Sequence, residues 1–143
     1  MRFLNAMMAA GVVGLGVHVY SQHHHAHPFP KESLSPNGFV QVASLNEAEV
    51  NKVLILAAIN CPGEAAKRAD ALAKKLDEMG IPAVRRNSAS LKVNATTPEA
   101  KAAMERTSEI MGGEIPAVFI NGMGISNPNV EQVAAEYDRT KIQ

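Results

Sequence analysis

The chain has 143 residues, 46% of them hydrophobic, and its 14 lysines and arginines are balanced by 14 aspartates and glutamates. That length fits one domain with a modest core. Balanced charge, two tyrosines and no tryptophan exclude the electrostatic and stacking footprint of a nucleic-acid binder. The single cysteine, Cys61, excludes an internal disulfide and any two-cysteine redox mechanism.

Beyond Met1-Arg2 and Asn5, an uncharged run of apolar and glycine residues covers 6–17, the length of a signal-peptide core and short for a membrane span. Residues 1–21 are therefore expected to be a signal peptide cut after Ser21 or, uncut, a signal anchor. Either form carries the rest of the chain across a membrane, so the expected location is a bacterial periplasm, free or anchored to the inner membrane and facing it. An uncut leader is the only expected membrane contact.

Residues 22–50 read as a linker, with His23, His24, His25 and His27 followed by Pro28, Pro30, Pro36, Asn37 and Gly38. Two readings of the histidines stay open. They form a flexible site for Zn²⁺, Ni²⁺ or Cu²⁺, aided after cleavage by His24 standing third from a free amine, or they belong to a solubilising linker. Residues 39–42 suit a short edge strand and 46–49 a brief turn of helix.

The domain proper is expected over 51–143. Residues 53–59 form an apolar strand run, and 62–79 an amphipathic helix with Ala65, Ala69, Leu72, Ala73, Leu76 and Met79 inward, stopped by Gly80 and Pro82. A second strand follows at 83–86. Thr97 caps a helix opening with Pro98, whose inward stripe is Ala100, Ala103, Met104, Thr107, Ile110 and Met111, and Gly112-Gly113 ends it. Residues 116–120 form a buried strand, Asn121-Gly122 a hairpin turn, and 124–126 the returning strand. Val130, Val133, Ala134 and Tyr137 face the core from a last helix. The β-α-β unit and terminal hairpin predict a small mixed four-stranded sheet flanked by helices, an α/β three-layer fold.

Cys61 stands between a buried strand and a helix opening with Pro62, where unpaired N–H groups and the helix dipole favour a thiolate. Together, the apolar strand before Cys61-Pro62-Gly63-Glu64, the long helix after it, and the segment Gly113-Glu114-Ile115-Pro116-Ala117-Val118-Phe119-Ile120-Asn121-Gly122 resemble the glutaredoxin-like branch of the thioredoxin superfamily. The resemblance covers roughly the last two-thirds of the chain. It implies a thioredoxin/glutaredoxin-like fold in which Cys61 is the nucleophile that attacks disulfides. Pro116 matches the family's cis-proline beside that sulfur, and with Pro62 and the backbone of Ile115 it forms the substrate platform. The implied partner is a thiol- or disulfide-bearing protein or a small thiol.

The departures define a variant. Glu64 replaces the resolving cysteine, so an external thiol must release the mixed disulfide. The resemblance also implies glutathione as a thiol cofactor, but its usual binding positions are not matched. Ala58 replaces a lysine, and Ser126-Asn127-Pro128-Asn129-Val130 replaces a glycine pair with acidic residues.

Two further readings stand beside a monothiol oxidoreductase. One is a non-catalytic thioredoxin-fold binding module that docks a partner through the same groove, with Cys61 and Glu64 serving as a helix capping box. The other is a periplasmic metal-handling protein built on the histidines.

Overall fold

The computed structural model describes residues 29–60, 62–92 and 96–143. The leader expected over 1–21, the histidine cluster and Cys61 lie outside them. Five strands form one sheet: β1 (Val40–Gln41), β2 (Val53–Leu56), β3 (Ala83–Arg86), β4 (Ala117–Ile120) and β5 (Met123–Ser126). Its order is β1-β5-β4-β2-β3. β2 and β3 run parallel, joined through helix α1 (Glu64–Glu78), while β4 is antiparallel to β2 and β5 to β4. α2 (Pro98–Met111) and α3 (Val130–Thr140) complete the three layers.

The alternation of side chains along each strand assigns the layers. Val53, Ile55, Val118, Ile120 and Ile125 face Ala69, Leu72 and Leu76 of α1 and Val133 and Ala134 of α3. Leu54, Leu56, Ala117 and Phe119 face the other way, against Ile110 of α2. Burying both sheet faces explains why β2 and β4 are apolar at every position. The architecture is the thioredoxin-like three-layer α/β arrangement, with five strands where the hydrophobic pattern predicts four.

The additional strand is the short edge strand expected at 39–42, within the stretch otherwise read as linker. Phe39, Val40, Val42 and Leu45 are core residues, and β1 pairs antiparallel with the edge of β5. Their attachment is polar as well as apolar. The Ser35-Pro36-Asn37-Gly38 turn sits on α3, where Glu136 is fully buried and accepts hydrogen bonds from Ser35 Oγ at 3.0 Å and Asn37 Nδ2 at 2.8 Å. Arg139 pairs with the same carboxylate. Burial pushes the Glu136 carboxyl up, but donors from Arg139, Asn37 and Ser35 outweigh it and hold the group below its ordinary value. Residues 46–49 form a turn rather than helix, and the Glu47 carboxylate is spent on the Ser90 N–H and hydroxyl.

Local chemistry sets the boundaries. Thr97 Oγ1 accepts from the Ala100 N–H at 3.2 Å, with Pro98 at the first helical position. α1 ends in a Schellman motif: Gly80 has φ +71, its N–H reaches Asp77 O, and the Ile81 N–H reaches Leu76 O. Met79, expected inside, is 55% exposed because it lies past the last turn, and Ala66 rather than Ala65 is buried. Asn121 (φ 45) and Gly122 (φ 80) form the two-residue turn between Ile120 and Met123. Asn121 does more than turn the chain. Its Oδ1 accepts from the Asn51 N–H at 2.8 Å and its Nδ2 donates to Thr140 O at 3.1 Å, tying three segments together.

Candidate functional site

The register of the central strands decides which loops meet. Leu56, the last residue of β2, pairs with Ala117, the first of β4. The chain leaving β2 toward α1 and the chain arriving through Ile115-Pro116 therefore share one end of the sheet. The β2 ladder extends to Ala57, whose N–H reaches Arg86 O at 3.1 Å. From Ala58 the chain is exposed, and Asn60 takes φ 60. The strand is thus shorter than the apolar run, and Ile59 is left 43% exposed with its N–H on Asn87 Oδ1 at 2.8 Å.

α1 begins later than its proline suggests. Gly63 is the N-cap without a side-chain cap, Glu64 is the first helical residue and is ion-paired with Lys67, and Pro62 is exposed just ahead. Glu64 is thus the first helical residue rather than the third, and the capping box expected of it with Cys61 lies outside the described residues. Cys61 stands in sequence two residues before the cap.

The Ile115–Pro116 peptide bond is cis. Pro116 is buried and Ile115 is 39% exposed. The Ile115 carbonyl, expected to be free for a substrate, is occupied: Arg68, in the second turn of α1, donates Nη2 to it at 2.8 Å. That bond directly links α1 to the Ile115-Pro116 segment. Pro116 O accepts from the Asn127 N–H at 2.7 Å, and Asn127 Nδ2 reaches Glu114 Oε2 at 3.0 Å. Ala58 O accepts from Arg85 Nη2 at 3.0 Å, and Arg85 also pairs with Asp70.

Of the residues singled out in the sequence, Pro62, Ile115 and Pro116 are thus gathered at one end of the sheet. Arg68, Arg85 and Asn127 join them without having been anticipated. Their signals are weak, since each is a polar residue on an exposed-looking helix, strand or loop position. Among the described residues no group of three histidine, cysteine, aspartate or glutamate side chains is placed to hold a metal, and no helix is long and apolar enough to cross a membrane. A separate cleft of about 390 Å³ lies at the opposite end of β4, lined by Val42, Leu45, Val50, Phe119, Asn121 and Ile142 among others, and it includes neither Ile115 nor Pro116.

Compared with protein-family models, curated proteins and solved structures, the chain matches none. Its function has to be argued from this geometry.

Proposed function

We propose that the protein is a monothiol, glutaredoxin-like thiol–disulfide oxidoreductase acting outside the cytoplasm. The observation that carries the reading is the meeting of the amino end of α1 with Ile115-Pro116, through the Leu56–Ala117 pairing and the Arg68–Ile115 hydrogen bond. The fifteen-residue α1 has unpaired N–H groups and a positive dipole end at its amino terminus, two residues along the sequence from Cys61. A thiolate at Cys61 is favoured by that field.

In this reading the Cys61 thiol loses its proton and attacks one sulfur of a partner disulfide. A new S–S bond forms to Cys61, and the other sulfur leaves as thiolate. Since residue 64 is glutamate, an external thiol then attacks the mixed disulfide and restores Cys61. The apolar run at 6–17 supports a location beyond the cytoplasmic membrane.

The test is turnover of a small mixed-disulfide substrate by the full-length chain with increasing external thiol. The expected result is thiol-dependent turnover, an adduct on Cys61 detected by mass, and no activity in Cys61→Ser. Full activity in Cys61→Ser would overturn the reading.

The exposure of Ile59 and Ile115 at the same end, 43% and 39%, favours a second reading as a docking module. That module would bind its partner equally well with Cys61→Ser and less well with Ile115→Asp.

A further inference from the structure

The two most exposed large apolar side chains of the described residues stand together, away from the Ile115-Pro116 end. Val50 is 70% and Ile142 63% exposed, and both line the cleft of about 390 Å³ at the far end of β4. Hydrogen bonds fix this rim. Asn51 takes φ 55, and its side chain holds Ile142 twice, accepting from the Ile142 N–H at 2.8 Å and donating to Ile142 O at 2.7 Å. The Asn51 N–H is held in turn by Asn121 Oδ1 at 2.8 Å. The rim is therefore apolar and preset, above the buried residues Val42, Leu45 and Phe119. A concave apolar site of this volume suits a small molecule.

One charge in the lining is unspent. Glu49 is ion-paired with Lys52. Lys92 is exposed and has no carboxylate partner among the described residues, and its N–H anchors it at the cleft through Ser44 O at 2.9 Å. A second cleft of about 350 Å³, walled by Ala100, Ala103 and Met104 of α2, shares Val42, Ala43, Ser44 and Lys92 with the first. The lysine thus stands at the junction of two adjoining hollows.

We infer that this cleft binds a small amphipathic acid, an aliphatic chain ending in a carboxylate, with the chain against Val50 and Ile142 and the carboxylate on Lys92. Burial of the chain supplies the affinity, and the ammonium selects the sign of the head group. A second copy of this chain is the poorer occupant. Two-fold pairing of such clefts would bring both copies of Lys92 to one interface, with Glu49 already spent on Lys52. The site is separate from the Ile115-Pro116 end and stands whether or not Cys61 is a redox thiol.

Octanoate, 1-octanol and octylammonium share one chain and differ in the charge of the head. Each is titrated at neutral pH, below its micelle concentration, into the isotope-labelled full-length protein and into Lys92→Gln, Lys92→Arg and Val50→Ser. Dissociation constants are read from the amide shifts of residues 50, 92, 122 and 142. Lys92 and Val50 are both exposed, so these substitutions leave the core untouched, and ligand-free spectra check the fold.

The expected result is binding of octanoate about fivefold tighter than octylammonium, a ratio that falls about threefold in Lys92→Gln, is kept in Lys92→Arg and shrinks with salt. Val50→Ser weakens all three ligands by about twofold, and octanoate binds more tightly than hexanoate by about two- to fourfold per methylene. Absence of saturable shifts at these amides, equal affinity for the three head groups, or a ratio unchanged in Lys92→Gln overturns the inference. Shifts that follow protein concentration rather than ligand assign the face to self-association and overturn it as well. If Lys92→Gln does not fold, the salt dependence of the wild-type ratio decides in its place.

Discussion

Glu136 is a carboxylate in a fully buried position, and its energetics follow from its donors rather than from its charge alone. Losing the acceptor leaves Ser35 and Asn37 short of a partner where water is scarce, so Glu136→Ala should destabilise the fold by about 2–3 kcal/mol, measured by urea unfolding at neutral pH. Because the folded-state pKa is depressed, this stabilisation is complete above the unfolded value of about 4.3 and is lost as pH falls through the lower folded value. Unfolding curves at pH 7 and pH 3 should therefore show the gap between wild type and Glu136→Ala narrowing in acid. A constant gap would mean that the Glu136 carboxyl titrates alike in the folded and unfolded chains, and a gap that widens in acid would mean that it is neutral in the folded protein. The period of α3 puts residue 136 on the same side as Val133, yet a glutamate there reads as a solvated side chain. Its explanation lies in Ser35 and Asn37, at sequence separations of 101 and 99 residues, where no local pattern can point. Arg68 was hidden in the same way, since its partner Ile115 is 47 residues away.

Elements whose ends are written in local chemistry were legible. Thr97-Pro98, Gly80 and Asn121-Gly122 each carry the residue type that their backbone geometry needs, so the helix and hairpin boundaries they mark emerged from the sequence. A side chain built on Gly80 meets nothing within 4 Å, so the cost of Gly80→Ala is that of a left-handed backbone alone. It should be about 1–2 kcal/mol in thermal unfolding, with Gly80→Asn costing less. The α3 start was overlooked although it has a full capping box: Asn129 Oδ1 accepts from the Gln132 N–H at 2.8 Å, and the Gln132 side chain accepts from the Asn129 N–H at 3.1 Å. Asn129→Ala should cost about 1 kcal/mol of stability. The capping box considered at Cys61 and Glu64 had the same spacing, but Gly63 takes the cap, which makes Glu64 the first helical residue, and Glu64 pairs with Lys67. Spacing proposes a box, and the backbone of the preceding turn decides where the cap falls.

At the scale of the molecule, the sheet does what the thiol reading needs. Parallel β2 and β3 require a crossover helix, antiparallel β4 returns beside β2, and together they bring the residues flanking Cys61 to the Ile115-Pro116 end. The α/β class and four of the strands could be read from alternating periods. The fifth was legible only as a short edge strand at 39–42, because the proline- and glycine-containing stretch around it resembles linker and its attachment to α3 and β5 is not written in its own pattern. The central claim is that this framework makes Cys61 a reactive thiolate. It is tested most directly by the pH dependence of alkylation at Cys61 in the folded protein, in Glu64→Ala and in the denatured chain. The account predicts an apparent pKa below the free-cysteine value of about 8.5, faster reaction in the folded state, and a further lowering in Glu64→Ala, where a nearby negative charge is removed. A thiol that reacts no faster folded than denatured, with an unshifted pKa, would contradict it.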